Sequence, residues 1–185
     1  MQQFVLAHID LTNLLCGVLL LSRIADLGST YLVSPQLRLE ANPIAHRLGW
    51  PFAFATLLVA AVPYFSTGLA IVVIVPSLLA AAQNLATAWV VRAIGEEAYL
   101  RWLTGVAAAG RLSEALLLGG ISATLIFLAG GLLWFLSLNS PRDWAYCFAI
   151  GLMIYGLAIL VYRSLFLVRL FRRAVRKGEP IAVSD

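Results

Sequence analysis

The chain has 185 residues and a net charge of +4, with 62% of its residues hydrophobic and only 12% charged, against roughly 25% charged in soluble domains, which excludes a water-soluble fold. At about 20 apolar residues per spanning helix, the apolar runs take up nearly the whole chain and leave no room for a separate soluble domain. Its basic residues gather at the ends of those runs, where orientation signals and anionic lipid contacts belong, and this argues against nucleic acid as a partner.

Residues 1–10 carry no Lys or Arg, so they lack the basic region of a cleavable signal peptide, and the first apolar run is expected to be retained. That run predicts a first span over 11–33, ended by Ser34-Pro35, because proline withholds a backbone donor. A polar stretch over 36–41 follows. Asn42-Pro43 reads as an N-cap with proline at the first helical position. The second span is expected over 43–65 with a bend at Pro51, and Ser66-Thr67-Gly68 as the turn that divides an apolar run too long for one crossing. A break at Pro76 is the alternative. The third span is expected over 69–91, kinked at Pro76, with Gln83 and Asn84 as unusual polar occupants of its inner half.

Over 95–110, Glu96, Glu97 and Arg101 fall on one side and Leu100, Leu103, Val106 and Ala107 on the other. This approximates a helical period and predicts an amphipathic helix lying on the membrane surface, with Tyr99 and Trp102 at headgroup depth. A fourth span over 113–138, a turn over 139–143 and a fifth span over 144–168 complete an all-α, polytopic transmembrane bundle in one membrane domain, with a basic tail over 169–185. No internal repeat or low-complexity tract interrupts it.

Five spans place ten basic residues on one side: Arg38 and Arg47, then Arg92, Arg101 and Arg111, then Arg169, Arg172, Arg173, Arg176 and Lys177. The other side receives Arg142 alone. Retention of positive charge in the cytoplasm then predicts a multi-pass plasma membrane protein with its N-terminus outside and its C-terminus inside. The run of Arg169, Arg172, Arg173, Arg176 and Lys177 is a candidate contact for anionic lipid headgroups. Cys16 and Cys147 both fall in the outer half of this topology, which makes a redox pair conceivable although neither has CxxC or Cys/His spacing.

Arg23 and Asp26 stand at i and i+3 inside the first span, with Thr30 one turn beyond Asp26 on the same face. Each charge costs about 2.5–3.5 kcal/mol at the bilayer centre, so they must pair or face other helices. Glu40, Asn42 and His46 begin the next segment on the same side, and Gln83 and Asn84 lie in the inner half of the third span. A bundle of this size can gather these residues in one inward-facing pocket, with Asp26 and Glu40 as carboxylates, His46 as a titratable group and the amides as orienting donors. Each also has a plainer role. Arg23 can snorkel with Asp26 neutralising it, Asn42 and Pro43 can serve as a helix start alone, His46 and Arg47 can face headgroups, and Gln83 and Asn84 can bond helices together. No HExxH or comparable ligand spacing points to a metal, no cofactor motif is legible, and no GxSxG points to a serine hydrolase.

With Asp26-Leu-Gly-Ser-Thr30 followed by Glu40-Ala-Asn-Pro43, the chain resembles, over roughly residues 15–65, a family of small uncharacterised prokaryotic polytopic membrane proteins. That family carries an Asp and a Thr late in the first helix and then an acidic-x-Asn-Pro turn. The resemblance singles out Asp26, Thr30, Glu40, Asn42 and Pro43 and implies no activity. Arg23 and the fifth span have no counterpart in it. Intramembrane ionisable groups without a catalytic motif favour a binding, transport or accessory role for a small ligand, an ion, a membrane partner or a second copy of the chain. The competing reading is an intramembrane enzyme acting on a lipid or peptide, with Asp26 and Glu40 as acid and base. A purely structural subunit is the third.

Overall fold

The computed structural model describes residues 2–109, 112–138 and 143–177. Among the described residues all regular structure is helical: α1 (Gln2–Val33), α2 (Pro43–Ala55), a 3-10 segment (Thr56–Tyr64), α3 (Thr67–Ile94), α4 (Glu96–Ala109), α5 (Leu112–Ser137) and α6 (Asp143–Lys177). Five segments are long and apolar enough to cross a membrane: Leu11–Val33, Pro43–Tyr64, Thr67–Ile94, Leu112–Ser137 and Trp144–Arg172. Each lies within a few residues of a span expected from hydropathy.

The differences sit at ends and bends. Helix α1 begins nine residues before the apolar run, at Gln2, since helix formation needs only backbone continuity whereas spanning needs apolar side chains. The expected single second helix is two elements. Gly49 takes φ 71°, ψ −162°, outside helical space and open to glycine at little steric cost, so the bend falls just ahead of Pro51. Beyond Ala55 the winding tightens: the Thr56 N–H donates to the Ala53 carbonyl, the i−3 partner of a 3-10 turn, and its hydroxyl donates to the same oxygen at 2.6 Å. The turn into α3 falls at Phe65-Ser66 rather than Pro76, with Ser66 Oγ accepting the Leu69 N–H at 3.2 Å. Helix α6 runs on through Lys177, so the first part of the expected basic tail is helical.

The α1–α2 connection is held by α4. Glu96 accepts from the Ser34 hydroxyl, from the Gln36 N–H at 3.2 Å and from the Arg38 N–H at 3.0 Å. This clamp encloses Leu37, whose φ of 53° is a left-handed conformation costing a branched residue about 1–2 kcal/mol. Burial of its side chain to 5% exposure offsets that cost.

Helix α3 is the centre of the bundle, packing on one side against α1 and the 3-10 segment and on the other against α6, while α5 packs along α6 and α4 lies against α6 and α3. Small residues set the tightest seam. A Cβ placed on Gly156 would lie 2.9 Å from the Phe127 nitrogen and 3.0 Å from the Ala123 carbonyl, so the α5 and α6 backbones approach as only glycine allows. The α1–α3 seam holds one apolar cluster of Leu15, Leu19, Ala70 and Ile74 and another of Val33, Ala88 and Val91, with a polar band between them. Outward faces carry large apolar side chains such as Phe65, Leu58 and Trp89 at 87%, 80% and 73% exposure. A water-soluble protein would bury them, and a lipid-facing surface requires them.

Candidate functional site

The polar band begins on α1, where one face presents Ser22, Arg23, Asp26, Ser29 and Thr30 toward α3. Arg23 Nη1 donates to Asp26 Oδ2 at 2.6 Å and to Ser77 Oγ on α3 at 3.2 Å, and its Nη2 donates to Thr56 Oγ1 at 2.6 Å. The pair is largely buried, at 16% and 17% side-chain exposure, and so pairs within the bundle rather than snorkelling. Arg23 Nε is buried without a hydrogen-bond partner, a shortfall of about 1–3 kcal/mol that the three other bonds offset. Ser77 stays available to Arg23 because its own proton goes to the Val73 carbonyl at 3.0 Å.

One turn further in, Asn84 Nδ2 donates to Thr30 Oγ1 at 3.0 Å and to Ser29 Oγ at 3.2 Å, fixing the register of α1 on α3. Gln83 turns the other way and accepts from the Tyr155 hydroxyl at 2.9 Å, tying α3 to α6. The amides act as interhelical bonds, each to a different neighbour of the central helix.

These groups line a cavity of about 1090 Å³ enclosed by α1, α2, α3, α4, α5 and α6. Arg23, Asp26, Thr30, Glu40, Asn42, Gln83 and Asn84 all reach it. His46 does not: its Nδ1 lies 2.8 Å from the Leu37 carbonyl oxygen, which can only accept, so the ring donates there and braces the turn. Asn42 caps α2 by accepting the Ile44 N–H at 2.9 Å, and Glu40 Oε1 accepts the Asn42 N–H at 2.8 Å. Burial pushes the Glu40 carboxyl above the usual carboxylate range. The Asn42 N–H opposes that rise, and the nearby charge of Asp26 adds to it.

Helix α4 supplies a further wall. Its Tyr99, Leu103, Val106 and Ala107 line the cavity, and Tyr99 packs against the Val33, Ala88 and Val91 cluster. Part of the apolar face of this amphipathic helix is thus turned onto the bundle, while Trp102 and Val106 stay 55% and 51% exposed.

Sequence reasoning missed Thr56, Ser77, Tyr155, Glu114 and Arg163, all on the cavity wall. Hydroxyl residues carry no signal of their own in an apolar run. Arg163 did, being an arginine inside a span. Of the basic end of α6, Arg169 is half-buried and Arg172 exposed, while the side chains of Arg173, Arg176 and Lys177 fall outside the described residues, as do Arg142 and the 139–142 turn. Cys16 and Cys147 are thiols, and Cys147 Sγ lies against Gly68. Among the described residues no three of His, Cys, Asp and Glu come together as a metal site. Comparison of the chain with known protein families, with curated proteins and with solved structures finds no match.

Proposed function

We propose that this chain is a multi-pass membrane protein that binds a molecule within the bilayer, with its N-terminus outside the plasma membrane and its C-terminus in the cytoplasm. The cavity carries the binding reading. At about 1090 Å³ it lies just above the roughly 300–1,000 Å³ span of small-molecule sites, and it combines apolar walls with a few convergent polar groups as such sites do. The ten-to-one distribution of basic residues supports the orientation. An acid–base role for Asp26 and Glu40 is the weaker reading, since the Asp26 carboxylate is engaged by Arg23 and Glu40 by a backbone N–H.

The test is native mass spectrometry of the full chain released from gentle detergent, beside Ala80→Phe and Ala158→Phe, two substitutions that fill the cavity from its wall. The wild type is expected to carry a non-covalent adduct that both variants lose while keeping their helical content. Bare wild-type protein, together with unaltered thermal stability in both filled variants, would show that the cavity holds nothing.

A further inference from the structure

The charges around the cavity are not equally answered. Arg23 is neutralised by Asp26. Glu40 is held by a backbone N–H. Glu114 also has a partner. Arg163 is the exception: among the described residues it forms no ion pair or hydrogen bond, although it lines the cavity within the last span. Its stem passes close to α5, where a Cβ on Gly119 would stand in ordinary contact, 3.6 Å from Arg163 Cδ. It stands nine residues before Arg172, roughly 14 Å along the axis at 1.5 Å per residue, deeper than a headgroup layer of roughly 5–7 Å and so inside the hydrocarbon core. A cation left without a counter-charge at that depth is costly, and an anion from outside the protein relieves the cost.

The cavity is also shaped for a guest from the lipid side. Helix α5 packs extensively along α6, with no comparable seam to α1, α2 or the 3-10 segment, yet Leu118 of α5 and Phe52 and Thr56 across from it border the same space. Two walls that share a cavity without packing together leave a sideways passage to the bilayer. From Arg163 toward the middle of the span the α6 lining is largely apolar, with Ile159, Ala158 and Ile154 among its members, a surface suited to acyl chain.

We propose that the cavity takes one acidic phospholipid, entering between α5 and the second span, with its phosphate on Arg163 and its acyl chain along α6. This rests on the binding reading above and adds the sign of the headgroup, the residue that reads it and the route of access. Arg163 acts as a specificity residue, because its charge-assisted bonds to a phosphate are strongest where that phosphate carries net charge and no tethered cation, such as choline, already offsets it.

The experiment uses the delipidated full chain in detergent, titrated in native mass spectrometry with dioleoyl phosphatidic acid, dioleoyl phosphatidylcholine or inorganic phosphate. The wild type is expected to hold one phosphatidic acid about tenfold more tightly than phosphatidylcholine, the scale of one charge-assisted pair, and to show no saturable retention of inorganic phosphate. Arg163→Gln should erase the preference and leave binding of the two lipids alike. Arg163→Lys should restore most of it, which separates charge from folding, and Arg92→Gln, at an exposed arginine in the last turn of α3, should leave it intact. Persistence of the preference in Arg163→Gln, or its loss in Arg92→Gln, overturns the assignment to Arg163. Equal retention of both lipids by the wild type overturns the acidic-lipid proposal while the binding reading stands. Retention of inorganic phosphate as tight as that of phosphatidic acid overturns the lipid route. If neither lipid is retained and the Ala158→Phe variant behaves as the wild type does, both readings fall.

Discussion

The Arg23 guanidinium reaches from α1 to Thr56, donating to its Oγ1 at 2.6 Å, and so fastens the first helix to the point where the second span changes from α to 3-10 winding. The same hydroxyl gives its proton to the Ala53 carbonyl. One threonine thus serves both the change of winding and the buried charge. The ion pair with Asp26 is consequently one arm of a three-way junction among α1, the second span and α3.

This junction makes the two members of the pair unequal. Asp26→Leu leaves Arg23 with two hydroxyl acceptors, whereas Arg23→Leu removes the one cation that pairs with the Asp26 carboxylate among the described residues. Removal of a partner from a buried pair typically costs about 3–5 kcal/mol. Arg23→Leu is expected toward the upper end of that range, Asp26→Leu toward the lower, and the double variant well below their sum. Unfolding in mixed detergent of all four proteins gives the cycle, and simple addition of the two losses would show that the residues do not act together.

Glu40 gives the fold a pH dependence of definite sign. Burial raises its folded-state affinity for a proton above that of the unfolded chain, so its contribution is most favourable below the ordinary carboxylate range and declines as pH rises through the elevated folded value. The Glu40→Gln variant keeps an oxygen for the Asn42 N–H and cannot ionise. Its thermal midpoint is expected to exceed that of the wild type near neutral pH and to converge with it in acid. A wild-type advantage that grows with pH would contradict the sign.

The α5–α6 seam should be intolerant at one glycine and indifferent at another. Gly156→Ala drives a methyl against the Phe127 and Ala123 backbone, whereas Gly131→Ala meets nothing within 4 Å. The first is expected to cost about 1–3 kcal/mol, as overpacking does. The second should be neutral or slightly stabilising, because alanine favours the helix over glycine by up to about 1 kcal/mol. Thermal unfolding of the pair reads the contrast, and equal effects would mean that α5 does not lie on Gly156.

Orientation is open to direct measurement. An enzymatic reporter placed after Asp185 is expected to be active only in the cytoplasm, and one at Ser66-Thr67 or at Ser140 only outside, following the excess of basic residues on one side. Cytoplasmic activity at Ser140 would contradict the five-span arrangement.

The span positions were legible because lipid is a uniform solvent. Twenty apolar residues in a row must cross it wherever they pack, and the five segments appear at their expected places. The cap at Asn42-Pro43 was legible for a similar reason, since it answers an orphaned donor within its own turn. The costly residues Arg23 and Asp26 declared themselves by their price in hydrocarbon, and their i, i+3 contact followed from helix geometry alone.

What each of them meets across the bundle was decided elsewhere. Nothing local to Gln83 and Asn84 says that adjacent amides serve opposite helices, Tyr155 on one side and Thr30 on the other; that depends on α3 standing at the centre. His46 was read with the cluster from its position in the chain, but the rotation of α2 about its axis aims it at Leu37 instead. Thr56 and Ser77 gain meaning only because the Arg23 side chain arrives between them, and residues of the amphipathic α4 helix such as Tyr99 and Leu103 reach the cavity because α6 and α3 are there to receive them. Hydropathy and helical period act along the chain and are written in it, whereas the choice of partner is made by the packing of whole helices, through close approaches such as Gly156 on Ala123 and Phe127 that no single segment encodes.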